Sequence, residues 1–120
     1  MKKKTICFDI DGVICKTSNK NNYINSKPIK KNIKYINKLY EEGFRIIVFT
    51  GRFMGRNNNN ISKAKKQGLA LTKLQLKKWN LKYNNLFMGK PSYDLFIDDK
   101  SIFFKKNWIM DIKKYLNKFN

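Results

Sequence analysis

Four short apolar runs, separated by longer segments, constrain what this chain can fold into. The runs cover residues 5–8, 45–49, 86–88 and 94–97. Apolar runs of this length without polar alternation are typical of strands buried on both faces of a parallel sheet. The longer segments between them are polar or have helical periodicity, so strands alternate with helices. The sequence therefore predicts an α/β protein with a three-layer, Rossmann-like fold, in which helices flank a parallel sheet.

Helical periodicity is clearest in residues 28–43, where Pro28 suits the first turn and Gly43 suits a left-handed C-terminal cap. Thr72 is placed to cap a second helix that carries Leu74, Leu76 and Trp79. A third helix near the end of the chain is predicted from four side chains that share one face. They are Ile112, Tyr115, Leu116 and Phe119.

Two segments lack this periodicity. Residues 16–27 are polar, which predicts a surface loop or a small flap near the end of the first strand. Residues 51–70 contain several Gly and Lys and predict an irregular or partly helical excursion. No internal repeat or domain boundary is visible, so we expect residues 1–120 to form a single domain.

The lengths of the apolar runs and the cysteines predict the cellular compartment of the protein. No run approaches the roughly 20 residues that a membrane-spanning helix needs. Asp9 and Asp11 interrupt the apolar stretch that would have to follow the basic start of a secretion signal. Cys7 and Cys15 are too few for a disulfide framework and lack the spacing of a metal site. We therefore expect a soluble, cytoplasmic protein with reduced thiols and no membrane partner.

The formal net charge of +19 invites a nucleic-acid interpretation, because Lys and Arg that neutralise phosphates supply most non-specific affinity. The chain has 24 Lys against 3 Arg, and the Lys are spread along it. That distribution favours compositional bias over a dedicated binding face. A nucleic-acid partner is possible but not favoured, although a positive surface still attracts any anionic substrate.

Acidic residues are scarce and concentrated. Of eight in the chain, Asp9, Asp11, Asp98 and Asp99 lie at the predicted carboxyl ends of two strands. Two carboxylates about 5 Å apart repel by about 3 kcal/mol at an effective dielectric of 20, so such a cluster requires a cation or protons. An all-oxygen cluster favours Mg²⁺. Because the chain has no His, carboxylates are left to carry any acid–base work.

Four separate sequence elements together resemble the ordered motifs of the haloacid dehalogenase superfamily. They are Asp9-x-Asp11-Gly12, Thr50, Lys90 and Asp98-Asp99. Alone, each has a structural alternative, such as a turn at Asp11-Gly12 or a helix cap at Asp98, but their agreement favours a catalytic site. Residues 8–15, 49–55 and 88–100 further resemble a small capless group associated with surface-polysaccharide biosynthesis loci.

The resemblance implies a role for each carboxylate. Asp9 would be the nucleophile that forms an aspartyl-phosphate, and Asp11 would protonate the leaving oxygen and then activate water. Asp98 would bind Mg²⁺ together with Asp9 and the main-chain carbonyl of Asp11. Asp99 would bind the metal directly or through water.

It also implies roles for residues that contact the phosphate. Thr50 would hydrogen-bond a phosphoryl oxygen, and Lys90 would balance the charge shared by Asp9 and the phosphate. Gly51 and Arg52 follow Thr50 and are predicted to bind substrate, since a guanidinium fork suits phosphate or a carboxylate.

Three features depart from the common pattern. Val13 stands where many members have Thr. Only eight positions separate Lys90 from Asp98, so the lysine must reach in from a compact loop. The intervals between the motifs leave no room for a large cap domain, which implies that a loop or a neighbouring subunit closes the site.

The resemblance therefore predicts a Mg²⁺-dependent phosphatase that acts on a small phosphorylated metabolite, with a sugar phosphate favoured. The alternative substrate is a nucleotide or a polynucleotide 3′ end, because polynucleotide phosphatases share the Asp-x-Asp-Gly motif and a similar hydroxyl-Gly-Arg segment. A third, disfavoured hypothesis is a basic nucleic-acid-binding module that has lost activity. Small capless members commonly oligomerise, so a homodimer or homotetramer is expected.

Overall fold

The computed structural model describes residues 4–18 and 22–117 and has a parallel three-stranded sheet at its centre. In chain order the strands of these residues are β1 (Thr5–Phe8), β2 (Cys15–Lys16), β3 (Lys27–Pro28), β4 (Arg45–Thr50) and β5 (Asn85–Met88). Strand β4 lies between β1 and β5 and pairs in parallel with both. Strands β2 and β3 form a separate antiparallel pair.

Three α-helices flank the sheet: α1 (Lys30–Glu41), α2 (Ile61–Lys78) and α3 (Trp108–Asn117). Single 3₁₀ turns cover Tyr23–Asn25 and Gly55–Asn57. This architecture confirms the predicted α/β fold with a parallel sheet. None of the helices in the described ranges is long and apolar enough to cross a membrane.

The core lies between the sheet and the helices. Ile46 and Val48 of β4 are fully buried together with Ile36 of α1 and Leu76 of α2. Burying one such side chain stabilises the fold by about 1.5–3 kcal/mol. Trp108, at the start of α3, packs edge-on against the ring of Phe8 with centroids 6.1 Å apart. The core therefore anchors β4 and the end of β1, and both strands end at the candidate site.

The first two helices begin elsewhere than predicted. Pro28 does not open α1 but pairs with Cys15 in the short β2–β3 ladder, and Ile29 is the N-cap. Helix α2 begins at Ile61, so Thr72 lies in its interior and is buried. The N-cap of α2 is Asn60, whose side chain accepts a hydrogen bond from the Lys63 amide at 3.0 Å. Short polar side chains of this kind satisfy the free N–H groups of a first turn.

The predicted fourth strand is not formed. Residues 94–97 have no strand pairing, and Leu95 and Ile97 are 77% and 89% exposed. Five residues, 89–93, separate β5 from this run. A parallel strand pair usually needs a crossover of about a dozen residues. The run leaves the sheet as an exposed segment, and β1 remains at one edge of the three-stranded sheet.

The predicted C-terminal helix is present as α3. Ile112 is buried and Leu116 packs against the core, whereas Tyr115 is 46% exposed. Phe119 lies outside the described residues, as do residues 19–21 of the predicted polar loop.

Candidate active site

Asp9 follows directly after β1, at the carboxyl edge of the sheet. Its Oδ1 accepts a hydrogen bond from the Ile10 amide at 2.8 Å, and its Oδ2 lies 3.3 Å from Lys90 Nζ. The Asp9 side chain is 35% exposed. One carboxylate is thus oriented by an amide and a cation while remaining open to a ligand.

A tight turn joins Asp9 to β2. The carbonyl oxygen of Ile10 accepts hydrogen bonds from the amides of Val13, Ile14 and Cys15, at 3.1, 2.8 and 3.2 Å. Gly12 has φ +91°, a conformation that side chains disfavour. The turn explains why the sequence places Asp-Gly at this point, and it brings Asp11 to the same cavity as Asp9.

Asp11 is held by a fully buried arginine. Arg52 Nε lies 3.0 Å from Asp11 Oδ2, and Arg52 Nη2 lies 3.0 Å from Asp11 Oδ1. The side chain of Arg52 is 0% exposed and that of Asp11 is 26% exposed. Thr17 Oγ1 donates a further, short hydrogen bond to Asp11 Oδ1. Both carboxylate oxygens of Asp11 accept hydrogen bonds from these donors. The two N–H···O bonds from Arg52 fix the orientation of the carboxylate.

Arg52 also donates to other protein acceptors. Nη1 hydrogen-bonds Gln75 Oε1 and, at 3.5 Å, Thr72 Oγ1, while Nη2 contacts Ser26 Oγ at 3.4 Å. The guanidinium also lies over the Tyr23 ring, 4.8 Å from its centroid. Arg52 follows β4 and lines the cavity. Its hydrogen bonds also connect Asp11 with α2 and with the 16–27 loop. This differs from the predicted substrate contact, because its N–H groups are already directed at protein acceptors.

Thr50 is fully buried and is absent from the cavity lining among the described residues. Its Oγ1 accepts the Arg52 amide at 3.1 Å. The predicted hydrogen bond from Thr50 to a phosphoryl oxygen therefore has no counterpart in this arrangement. Thr50 instead shapes the turn that directs Arg52 inward.

Gly51 lines the cavity and allows two loops to approach each other. A Cβ at this position would lie 2.9 Å from the carbonyl oxygen of Lys90. The Lys90 amide also donates to the Thr50 carbonyl at 3.0 Å, which extends the β4–β5 pairing by one bond. Gly51 therefore permits the close contact that brings Lys90 to Asp9.

Lys90 is enclosed by aromatic rings. Its Nζ lies 5.5 Å from the Tyr93 ring centroid and 5.7 Å from that of Phe96. Burial opposes its charge, but the hydrogen bond with Tyr93 and the charge of Asp9 outweigh burial and raise the pKa of Lys90. The lysine is therefore a cation at neutral pH beside the Asp9 carboxylate.

Burial also affects the acidic groups at this edge. The pKa of Asp9 is raised, chiefly because desolvation disfavours the ionised form, although Lys90 and the Ile10 amide oppose this. Burial likewise raises the pKa of the Cys15 thiol, whose Sγ lies 3.5 Å from Asp11 Oδ1. Cys15 is thus a weak donor to Asp11 and not a thiolate nucleophile.

Asp98 and Asp99 are not brought to Asp9. Both are exposed in the segment that leaves the sheet, where Asp98 Oδ1 accepts the Lys100 amide at 2.9 Å. Within residues 4–18 and 22–117, no three acidic, Cys or His side chains form a group that could hold a metal. The predicted four-carboxylate magnesium site is therefore not assembled in this structure.

Two carboxylates remain for a cation. Mg²⁺ often binds through one or two carboxylates and completes its shell with water and substrate phosphate oxygens. Asp9 and Asp11 line one cavity, and Asp9 is open to it. The residues present thus fit a magnesium ion held largely by Asp9 and the substrate.

Two residues of α2 that contact Arg52, Thr72 and Gln75, are not part of any of the sequence motifs. Gln75 accepts from Arg52, and its Nε2 donates to the Tyr23 carbonyl at 2.6 Å. Thr72 also contacts Arg52. Thr72 and Gln75 are buried polar residues three positions apart on α2. A helix traced through residues 61–78 would have placed both on the apolar face, which is the signal that could have found them.

The cavity itself has a volume of about 360 Å³, enough for a small phosphorylated molecule. Asp9, Asp11 and Lys90 line it. Arg56, Phe53 and Tyr93 contribute to its wall. A cavity with two carboxylates and several cations is suited to a phosphate and to the group that carries it.

Comparison with known proteins identifies the fold. No family model matches the sequence, and no curated protein matches it significantly. A crystal structure of a structural genomics target from Vibrio cholerae superimposes with a TM-score of 0.77 at 23% identity, covering 94% of this chain and 98% of that one. A chain of the Pnkp1/Rnl/Hen1 RNA repair complex superimposes with a TM-score of 0.52 at 17% identity, covering 97% of this chain. This chain spans 32% of that larger protein. These likenesses show that the molecule has a Rossmann-like α/β fold.

Proposed function

We propose that this chain is a phosphohydrolase that cleaves phosphomonoesters through a covalent intermediate on Asp9. The observation that carries the proposal is the Asp9–Lys90 pair: an oriented, partly exposed carboxylate that contacts a cation, at the mouth of a cavity. Ligands of open α/β sheets bind beyond the carboxyl ends of the strands. The four sequence motifs resemble those of the haloacid dehalogenase superfamily, whose members use this chemistry.

In the first step an Asp9 carboxylate oxygen attacks phosphorus and the ester P–O bond breaks. Lys90, at 3.3 Å from Asp9 Oδ2, offsets the negative charge that Asp9 and the phosphoryl group share. Such preorganised cations stabilise charge that develops in the transition state. The raised pKa of Asp9 reflects an incompletely solvated carboxylate, which makes it a better nucleophile than a fully hydrated one.

Asp11 would donate a proton in the first step and accept one in the second. The leaving oxygen takes a proton from Asp11, and a water that loses its proton to Asp11 then cleaves the aspartyl-phosphate, releasing phosphate and free Asp9. Arg52 and Thr17 orient Asp11 by hydrogen bonds. Because Asp11 accepts from both, the observed geometry supports its role as the base more directly than its role as the acid.

Magnesium would be held by Asp9 and the main-chain carbonyl of Asp11, and when bound it would supply positive charge to the phosphoryl oxygens. The metal role of Asp98 and Asp99 stays a prediction, since it requires their segment to lie nearer Asp9 than it does here.

The substrate proposed first is a small phosphorylated metabolite such as a sugar phosphate, which suits a cavity of about 360 Å³. The second candidate is the 3′-phosphorylated end of a polynucleotide. The likeness to a chain of an RNA repair complex favours it, as does the net charge of +19.

The test is phosphate release from a panel of sugar phosphates, nucleotides and 3′-phosphorylated oligonucleotides, with and without Mg²⁺. We expect metal-dependent turnover that falls at least about 1,000-fold in Asp9→Asn. Glu42→Gln, an exposed carboxylate-to-amide change at the end of α1, is the matched control. Mass spectrometry of a rapidly quenched reaction should detect phosphate on the peptide that contains Asp9. Equal turnover in Asp9→Asn and Glu42→Gln would refute the mechanism.

A further inference from the structure

The chain has both an exposed apolar segment and an open sheet edge. Residues 94–97 form no strand pairing, and Leu95 and Ile97 are among the most exposed apolar side chains of the described residues. On the sheet, β1 pairs with β4 alone, so its other edge has no strand beside it within residues 4–18 and 22–117. Open strand edges and contiguous exposed apolar residues both mark places where another chain can bind.

The segment and the edge match in length and in residue type. Strand β1 has four residues, and the exposed run 94–97 also has four. Phe96 and Ile97 belong to the residue types that are enriched in strands. Cys7 of β1 is exposed, which shows that this strand is accessible from solvent. A strand added to such an edge gains main-chain hydrogen bonds and buries alternate side chains.

The connection after β5 prevents the run from reaching β1 of its own chain. The Ser92 amide donates to Asn59 Oδ1 at 2.9 Å, and Asn59 lies just before α2, which packs against β5. The outer edge of β1 lies three strand positions from β5, about 14 Å at the usual strand spacing. With Ser92 held, a single residue remains before the run. The β1 edge of a second copy has no such restriction.

Charge supports a second copy of this chain as the occupant. Residues 94–99 contain three of the eight acidic residues and no Lys or Arg, so their net charge is −3. The rest of the chain has 27 basic and five acidic residues, a net charge of +22. Three consecutive lysines, residues 2–4, directly precede β1 in the sequence. An antiparallel pairing places Asp98 and Asp99 at this basic end, whereas a parallel pairing would place them beside the carboxylates that follow β1, where like charges repel.

We infer that residues 94–97 bind in the antiparallel direction to the open edge of β1 in a second copy of this chain, and that the second copy does the same in return. Two such contacts related by a two-fold axis form a closed dimer. The dimer covers the side chains of Leu95 and Ile97, which are exposed in the single chain. The inference concerns assembly and does not rest on the proposed function.

Cysteine cross-linking tests where the contact lies. In a centred antiparallel pairing, residue 96 lies opposite Cys7, an exposed thiol already present on β1. Phe96→Cys should therefore form a disulfide with Cys7 of a second copy when a mild oxidant such as diamide is added. A non-reducing gel should then show a covalent dimer. Phe96→Cys/Cys7→Ser and Lys65→Cys, the latter at an exposed position of α2, are the controls and should remain monomeric on the gel.

The gel and a count of free thiols together distinguish the outcomes. A covalent dimer in Phe96→Cys but in neither control supports the inference. A monomer band that has lost its free thiols would mean that the disulfide closed within one chain, and this would overturn the inference. A monomer band that keeps its thiols would overturn it as well, because the two residues then do not meet.

Sedimentation equilibrium measures the contact without cross-linking. We expect the native chain to reach the dimer mass in a concentration series, and Ile97→Asp to raise the Kd of the dimer at least about tenfold, because burying an isoleucine contributes more than a tenfold change in Kd requires. Ile24→Asp, at another exposed isoleucine in the Tyr23–Asn25 turn, is the matched control. Both side chains are exposed in the single chain, so circular dichroism should show that both variants keep the fold.

Charge variants test the direction of the pairing. Asp98→Asn/Asp99→Asn should raise the Kd of the dimer about twofold to fivefold at low salt, because each change removes an attraction to the basic end of β1. A parallel pairing predicts the opposite sign, since the same changes would then relieve repulsion. A lower Kd in this variant would overturn the antiparallel arrangement, and a native chain that sediments as a monomer at every concentration would overturn the dimer itself.

Discussion

Two acidic stretches of this chain, both predicted to bind the same metal, lie in opposite surroundings. Asp9 and Asp11 follow a core strand and are oriented by Lys90, Arg52 and the Ile10 amide. Asp98, in contrast, is exposed, and among the described residues its hydrogen-bond partners are near neighbours: its Oδ1 accepts the Lys100 amide at 2.9 Å and its carbonyl accepts from Ser101 at 3.2 Å.

The apolar residues around the two stretches differ as well. Phe8 and Ile10, beside Asp9, are buried in the core, whereas Ile97, beside Asp98, is 89% exposed. Phe103, farther along the same segment, is 84% exposed. A carboxylate becomes part of a site only when distant residues supply its partners. For Asp11 that partner, Arg52, lies 41 positions along the chain.

The largest expected effect is at the buried arginine. We expect Arg52→Gln to lower the free energy of unfolding by about 3 kcal/mol, because it leaves Asp11 and the buried Gln75 without their charged partner. Arg52→Lys should recover only part of the loss, since an ammonium cannot reproduce the two parallel bonds. Urea denaturation followed by circular dichroism measures both.

The control for Arg52 is Arg45, an exposed arginine at the start of β4 that contacts Asn85. Arg45→Gln should cost under about 1 kcal/mol, because exposed polar pairs contribute little. Similar losses for the two arginines would mean that the Asp11–Arg52 contact does not organise the site.

The next prediction tests the contrast between the acidic stretches directly. The resemblance to the superfamily motifs predicts that Asp98→Asn lowers metal-dependent phosphate release at least about tenfold and raises the Mg²⁺ concentration needed for half-maximal rate. The exposed position of Asp98, away from Asp9, predicts no change in either quantity. Asp94→Asn, in the same exposed segment, is the matched control. If both variants keep full activity, the separation seen here also holds in the working protein, and the resemblance has assigned Asp98 a role that it does not have.

Local sequence was sufficient to predict three strands of the sheet. The runs that became β1, β4 and β5 are short and apolar, but they are not buried on both faces as predicted, because Cys7 and Phe87 are exposed. The fourth run looks the same, but its pairing depends on the connection before it, and the five residues available are few for a parallel crossover. Strand propensity is thus readable from one segment, whereas strand pairing is not.

Helix α2 illustrates why part of the site was missed. Gly68 lowers helix propensity, which favoured an irregular segment before Thr72. In the structure Gly68 is needed for the Phe53 ring, and the helix forms around it. Because the predicted helix began at Thr72, the sequence did not predict that Thr72 and Gln75 are both buried on α2. The buried environment of Arg52 was therefore not predicted either. The candidate catalytic residues Asp9 and Lys90 were proposed from their own sequence motifs, but the residues that orient Asp11 and Arg52 depended on tertiary packing.

The smallest expected effect, a change in pH-dependent stability, distinguishes Asp9 from Asp98. Burial raises the pKa of Asp9 above its ordinary value of 3.8. Below pH 3.8 the group is protonated in both the folded and the unfolded chain and contributes nothing. As pH rises, the unfolded chain ionises first, so the folded state loses stability until the folded pKa is passed, and the loss then stays constant.

Asp9→Asn cannot ionise, so it should be more stable than the native chain at pH 7 and equal to it at pH 3. We expect a gain of under about 1 kcal/mol, because a side chain that is 35% exposed is partly screened by solvent. Urea unfolding with EDTA present, at pH 3, 5 and 7, measures the difference, and Asp98→Asn, a carboxylate-to-amide change at an exposed position, is the control. A stability gain of equal size for Asp98→Asn would place that carboxylate in a desolvated setting like that of Asp9, and the contrast between the two acidic stretches would then be lost.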